Sequence, residues 1–315
     1  MALAGAGWST LSWVFLGLAS AGYLELLVVE GIPVLRRPHA LLETFGDIRG
    51  ALGAFPFGVA TLVLASRFAG LGYTQLAVGL FVVGGMAALG CVYLVPATLF
   101  WRPHQAGRLR RGGGLWLLWP VALLAVSVAA STIARSGGFE PGPLTVLAAA
   151  TWALGLAIYL PLLAALMGGL VLSDIRLRDV GPSYWITMGG SALACLAASL
   201  ILADPSTVPL VGAGFAAVAG ALALWLWFLA TALLPVVIGL TLVRSQHRDQ
   251  LTGAPKELWV VVFPAAMYAL ASRTLGLSSG HPWLVRLGGA AVWLAVAVFL
   301  IEVGRAVLMR LLPAG

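Results

Sequence analysis

Four apolar stretches of this chain carry the same interruption, in which a bulky side chain is followed at once by a residue that disfavours helix. The four sites are Phe55-Pro56, Trp119-Pro120, Met188-Gly189-Gly190 and Phe263-Pro264, and successive sites lie 64, 69 and 74 to 75 residues apart. Proline lacks the backbone N–H, and glycine costs helix stability. Backbone groups that a break frees inside lipid require partners from protein or from a water-filled path. A break repeated at one depth therefore predicts helices that line a conduit.

The composition places the whole chain in a membrane. Hydrophobic residues make up 61% of it, charged residues 9%, and the mean hydropathy is +1.02. A helix that crosses a bilayer needs about 20 apolar residues. By that criterion we expect an all-α polytopic membrane protein, in which residues 1–315 form one transmembrane domain. The predicted spans are 8–29, 51–69, 74–100, 114–135, 143–173, 184–203, 208–243, 257–277 and 284–309.

The basic residues are distributed unequally between the two sides of these spans. Of the 18 Lys and Arg residues, only Arg67, Arg135, Arg273 and Arg286 belong to one side, which leaves fourteen on the other. Cytoplasmic loops of membrane proteins carry such an excess of Lys and Arg. We therefore predict a protein of the cytoplasmic membrane with a cytoplasmic C-terminus. The net charge of +7 is explained by orientation and does not indicate a nucleic-acid partner.

The lengths of the links group the spans into hairpins. Short links follow the second, fourth, sixth and eighth spans, so the chain resolves into an orphan first span and four antiparallel helix pairs. The first helix of every pair carries the break. We expect these helices to surround a central pore, with the second helices outside. An odd number of spans places the N-terminus outside, and one further helix before residue 8 would complete a fifth hairpin and bring the count to ten.

Chemistry-bearing residues are sparse inside the spans. Acidic, basic and imidazole side chains lie in links or near span ends, and no catalytic motif is found, so the chain is not expected to be an enzyme or to hold a cofactor or metal. The absence of intramembrane ionisable groups counts against tight proton coupling. A neutral conduit suits small anions held weakly at several points. The alternative is a proton-coupled exporter of dicarboxylate or sulfite; a purely structural membrane subunit is a more distant one.

Two groups of side chains are candidates for the conduit. Phe263 and Phe55, with Trp119 and Met188, share one position relative to the breaks and would form an apolar constriction that gates by dewetting; the alternative is ordinary packing in the core. Hydroxyl groups beyond the breaks would line the pore, or else pack helices together. They belong to Thr61, Ser127, Ser131, Thr187, Ser191 and Ser272.

Three blocks of sequence resemble the tellurite-resistance/C4-dicarboxylate transporter family, which includes bacterial tellurite-resistance channels and plant slow anion channels. Phe263 to Ser272 reads FPAAMYALAS and resembles the family's FPxGMYxxAS block. Pro182 to Gly189 reads PSYWITMG and resembles its PPYWxxMG segment, while Gly114 to Ala129 falls where the family has its GTWFxW helix. The resemblance covers about residues 8 to 310.

The resemblance implies a fold and a function. Family members have ten spans in five hairpins, with five kinked inner helices around a pore that a Phe on the ninth span blocks; here that residue is Phe263. They carry small anions such as malate, sulfite, chloride and nitrate, are associated with tellurite resistance, and are similar in forming homotrimers. This chain departs from the pattern in its missing first helix and in Ala266, where the family usually has Gly.

Overall fold

A computed structural model of the protein describes residues 8–32, 36, 48–100, 112–137, 140–172, 180–246 and 259–311. Every regular element within these residues is helical, and nine helical segments are long and apolar enough to cross a membrane. The prediction of an all-α polytopic membrane protein is confirmed. The Arg-rich links at 101–111, 173–179 and 247–258 lie outside the described residues, so the orientation in the membrane stays a prediction.

The helices follow the predicted spans closely. They are α1 (Ser9–Leu26, continued by a π-helical turn at Leu27–Gly31), α2 (Ile48–Gly53), α3 (Phe55–Ala69), α4 (Thr74–Phe100), α5 (Leu118–Ala134), α6 (Pro141–Leu172), α7 (Trp185–Leu202), α8 (Thr207–Val211), α9 (Ala213–Gln246), α10 (Trp259–Ser278) and α11 (Pro282–Leu311). Short 3₁₀ turns at Gly113–Leu117 and Pro182–Tyr184 lead into α5 and α7. The predicted span 208–243 is divided, because Gly212 has a φ of +88° and separates α8 from α9.

Consecutive helices pair as the link lengths predicted. The four hairpins are α3 with α4, α5 with α6, α7 with α9, and α10 with α11. The first helices of these hairpins also contact one another in the order α3, α5, α7, α10. In the described part of the chain the two ends of this row, α3 and α10, do not pack closely against each other. The first helices therefore form an open row instead of a closed ring.

Burial separates the inner helices from the outer ones. In the most apolar stretch of the span at 182–202, 89% of the residues are buried, and in that of the span at 113–134, 83% are. In the second helices of the hairpins the buried share of the corresponding stretch is only 22–28%. The exposed large side chains along the middle of the second helices are mostly apolar, as a lipid-facing surface requires.

Helix α1 lies at the gap between α3 and α10 and packs loosely, since only 11% of the residues in its most apolar stretch are buried. Long side chains make its contacts. Trp8 and Phe15 meet Trp293 and Phe299 of α11 edge to face, with ring centroids 5.2 and 5.3 Å apart. Other side chains of α1 bond to α3, and the bonded positions rise in number along α1 as they fall along α3, so the two helices are antiparallel.

Candidate functional site

The structure alters the interpretation of the four interruptions. Pro56 lies in the first turn of α3, just after the chain leaves α2, and Pro120 lies in the first turn of α5, after the 3₁₀ turn. Proline is compatible with a first turn because that N–H has no partner within the helix. The other two predicted breaks are wrong as interruptions, since α7 is continuous through Gly189 and Gly190 and α10 is continuous through Pro264.

At the two continuous sites, glycine allows close approach instead of breaking the helix. A Cβ atom on Gly189 would lie 2.9 Å from Cβ of Pro264, so these residues of α7 and α10 meet each other directly. A Cβ atom on Gly190 would lie 2.6 Å from the ring of Tyr159 on α6. Pro264 still has a local effect, because it cannot donate the usual hydrogen bond to the carbonyl of Val260.

A cavity of about 500 Å³ lies between these helices, is bordered by five of them and is open on one side. α1, α3, α5 with its preceding turn, α7 and α10 all contribute to its wall. The lining residues are Ala19, Tyr23, Pro56, Val59, Ala60, Val63, Leu64, Leu115, Leu118, Val121, Ile186, Gly189, Gly190, Val260, Phe263 and Pro264. Apart from the phenol of Tyr23, none of these side chains is ionisable, so the wall is apolar and neutral.

Five of the predicted site residues are brought together at this cavity. Phe263 is half-buried and lies in its wall beside Pro264, and Pro56, Gly189 and Gly190 line the same cavity. Ala266, the departure from the family's pattern, lies in the wall of a neighbouring cavity.

The other bulky residues of the predicted constriction point elsewhere. Phe55 and Met188 have no exposed surface, and Nε1 of Trp119 donates a hydrogen bond to the carbonyl of Val92 on α4 at 3.1 Å. Neither these three residues nor the buried Pro120 lines the cavity. Successive residues of an α-helix are turned by about 100°. When Pro56 or Gly189 faces the cavity, the preceding bulky residue therefore packs into the core.

All six predicted lining hydroxyls are buried, and none is part of the cavity wall. Ser127 bonds across the hairpin to the carbonyl of Ala148 at 2.8 Å, whereas Ser272 bonds within its own helix to Tyr268 at 2.8 Å. Thr61, Thr187 and Ser191 also donate to carbonyls of their own segments. The hydroxyl of Ser131 has no hydrogen-bond partner among the described residues. The geometry thus places these hydroxyls in helix packing.

Tyr23 is a member of the site that the sequence did not single out. Its ring stacks on Phe57 with centroids 6.2 Å apart, and its hydroxyl lies 2.7 Å from Oγ1 of Thr61. Because the proton of Thr61 goes to the carbonyl of Phe57, the phenol of Tyr23 is the donor to Thr61. In the sequence, Tyr23 could have been singled out as an aromatic side chain with a hydroxyl group inside an otherwise apolar span.

The remaining candidate chemistry is limited. Within the described residues no group of three or more His, Cys, Asp or Glu side chains is arranged to hold a metal ion. The two cysteines are free, with Cys195 buried and Cys91 half-buried. Tyr159 is fully buried, and its hydroxyl bonds to the carbonyl of Thr187 and to Ser191, which ties α6 to α7.

Comparisons with known proteins agree with a membrane transport fold. Two uncharacterized membrane proteins of Mycobacterium tuberculosis, from strains CDC 1551 / Oshkosh and ATCC 25618 / H37Rv, are each 30% identical to the chain over 145 residues, which is 46% of this chain and 72% of the relative. No solved structure matches the chain significantly. The model of the voltage-dependent anion channel family matches residues 1–307. The chain therefore belongs to the voltage-dependent anion channel family, whose members are multi-pass membrane proteins for anion transport and not enzymes.

Proposed function

We propose that this protein is a passive, channel-like facilitator for small anions, with the five-helix cavity as part of its path and Phe263 as the gate. One observation carries the proposal. The half-buried ring of Phe263 lies in the wall of a neutral cavity that four inner helices and α1 border, beside the residues at which α7 and α10 touch.

The cavity is large enough that size alone does not exclude a small anion. Its volume of about 500 Å³ is many times the share of about 30 Å³ that one water molecule takes in the liquid. An apolar wall of this kind resists wetting, and hydrophobic constrictions gate channels by that means. Rotation or removal of one large ring therefore changes conduction more than a change of charge at the same place.

The neutral wall also bears on selectivity. With no charged group in the wall, no anion is held tightly, and monovalent anions such as chloride and nitrate are expected to pass with weak discrimination. The family resemblance extends the proposal to sulfite, to dicarboxylates such as malate, to a link with tellurite resistance and to a homotrimeric assembly. The unequal distribution of basic residues supports a cytoplasmic membrane location with the C-terminus inside.

Phe263→Ala tests the gate, and the chain offers a matched control in Phe55→Ala. Both residues are phenylalanines that directly precede a proline in an inner helix, yet only Phe263 lines the cavity. Phe263→Ala should raise nitrate flux into liposomes severalfold when flux is normalised to folded protein. Phe55→Ala should lose about 3–5 kcal/mol of stability, the usual cost of removing a buried ring, and gain no flux.

The two variants separate gating from packing by the sign of the effect. Equal or lower flux in Phe263→Ala, with the protein intact in detergent, would remove the gate. An equal gain in both variants would show a general loosening of the helices instead.

Passive conduction is distinguished from the proton-coupled alternative in the same vesicles. A passive path gives currents that reverse at the anion equilibrium potential whether or not a pH gradient is imposed. A reversal potential that follows the pH gradient would favour the coupled exporter.

A further inference from the structure

A second cavity adjoins the first and leads towards the face of the molecule at which α3 ends and α1 begins. Its volume is about 290 Å³, and it lies between α1, α3, α10 and α11. The two cavities share three wall residues, Ala19, Val63 and Leu64. They are therefore adjacent spaces along one side of α1, with these three apolar residues between them.

The wall of the second cavity is apolar except at one place. Ser12 and Arg67 are its polar members, and Nη2 of Arg67 donates a hydrogen bond to Oγ of Ser12 at 2.8 Å. Ser12 is 4% exposed, so the bond fixes the guanidinium against a buried group of the neighbouring helix. Arg67 lies two residues before the end of α3, and the end of a membrane-spanning helix is expected near the bilayer surface.

The guanidinium keeps binding capacity after this contact. It carries five N–H donors in a planar fork, and the fork matches the geometry of oxyanions. The bond to Ser12 engages one of the two terminal nitrogens. In the described part of the chain, Arg67 forms no ion pair with a carboxylate. A cation that served only to orient the helix would extend towards water along its apolar stem, whereas this one is fastened beside a cavity.

We propose that Arg67, positioned by Ser12, is an anion-binding site at this end of the conduit and takes small oxyanions such as nitrate. The site rests on the proposed function, because its use is to collect anions at the entrance to the path. From there the anion moves past Ala19, Val63 and Leu64, which both cavities share, to the central cavity that Phe263 lines.

The site makes a quantitative prediction for transport. Removing the charge in Arg67→Gln should raise the half-saturating nitrate concentration about tenfold, because the variant cannot donate a charge-assisted hydrogen bond to the bound nitrate. Arg67→Lys keeps the charge but loses the planar fork, and Ser12→Ala leaves the fork unfastened, so each should give a smaller rise. Arg286→Gln is the control, since Arg286 is exposed near the start of α11 and lines neither cavity.

A binding measurement keeps the site separate from conduction. Nitrate should raise the melting temperature of the purified protein in a neutral detergent, because a ligand that binds only the folded state stabilises it. The rise should vanish in Arg67→Gln and persist in Arg286→Gln. If Arg67→Gln fails to fold, Arg67→Lys and Ser12→Ala carry the test, and unchanged half-saturation in both would overturn the proposal.

The outcomes distinguish failure of the site from failure of the function. Flux in Arg67→Gln with unchanged half-saturation and unchanged stabilisation by nitrate would overturn the site and leave conduction standing. Stabilisation that depends on Arg67 in a wild-type protein without flux would overturn conduction and leave the site. If phosphatidylglycerol in phosphatidylcholine nanodiscs abolishes the nitrate effect, a lipid headgroup is the natural occupant and the assignment to a free anion is wrong.

Discussion

The α5–α7 side of the molecule and the α1 side are built in opposite ways. On the first, backbones approach closely through glycine, and buried hydroxyl groups bond to carbonyls, so little space is left. On the second, α1 reaches its neighbours through aromatic rings and one arginine, and both cavities border on it. The difference teaches that the open space of this molecule lies where helices meet through long side chains, and that the close packing lies where they meet through small ones.

Within this comparison of the two sides, the largest expected difference comes from adding one methyl group on the close-packed side. A Cβ on Gly114 would overlap the backbone carbonyl of Ser183, in the turn that leads into α7, whereas a Cβ on Gly17 of α1 has nothing within 4 Å. Gly114→Ala should therefore cost at least about 1–3 kcal/mol, the usual penalty for overpacking. Gly17→Ala should be neutral or stabilising by up to about 1 kcal/mol, because alanine favours helix.

Thermal unfolding of both variants in one detergent measures this difference. Similar melting temperatures for Gly114→Ala and Gly17→Ala would show that the two sides do not differ in packing.

A second effect concerns Asp204, which ties α6 to the link before α8. Its carboxylate accepts hydrogen bonds from Ser206 and, at 2.8 Å, from Oγ1 of Thr145. Burial would raise the pKa of Asp204, but these bonds and the charge of Arg135 outweigh it and hold the pKa below its ordinary value. The ionised form is therefore favoured by folding. The stabilisation that ionised Asp204 gives the folded protein is fully present above the pKa of the unfolded state, about 3.9. It is lost as the pH falls through the lower pKa of the folded state.

Asp204→Asn should accordingly lower the stability at pH 7 by about 1–3 kcal/mol, the range for hydrogen bonds to a charged group. The difference from wild type should shrink as the pH is lowered below about 4. Glu140→Gln, at an exposed position near the start of α6, is the control in the same melting series. A deficit in Asp204→Asn that is independent of pH would assign it to packing and not to charge.

The smallest effect compares two phenols. Tyr159 is fully buried and bonds to the carbonyl of Thr187 and to Ser191, whereas Tyr23 is half-buried and bonds to Thr61. Tyr159→Phe should cost about 1–2 kcal/mol, and Tyr23→Phe about 0.5 kcal/mol, because water or an anion can replace the partner at the cavity. Equal costs, read from the unfolding midpoints, would contradict the distinction between a packed and an open side.

Much of the fold could be predicted from the sequence because lipid constrains it so strongly. A chain with nine apolar stretches of bilayer length and short alternate links has few arrangements other than helical hairpins. The family resemblance singled out Phe263 as the candidate gate, and Phe263 does line the cavity. The other three bulky residues of the predicted constriction do not line it, because the sequence alone does not fix the rotation of each helix about its axis.

What the sequence by itself determined is the set of spans, their pairing, and the absence of charged side chains from the middles of the spans. Each follows from local composition and from the cost of placing polar backbone or charge in lipid. Only the tertiary structure decided that Gly189 meets Pro264, that six hydroxyls serve packing, and that Tyr23 and Arg67 face open space beside α1. Those outcomes depend on how closely and at what rotation distant helices approach. That balance is set by the summed packing of many side chains, which no single stretch of sequence contains.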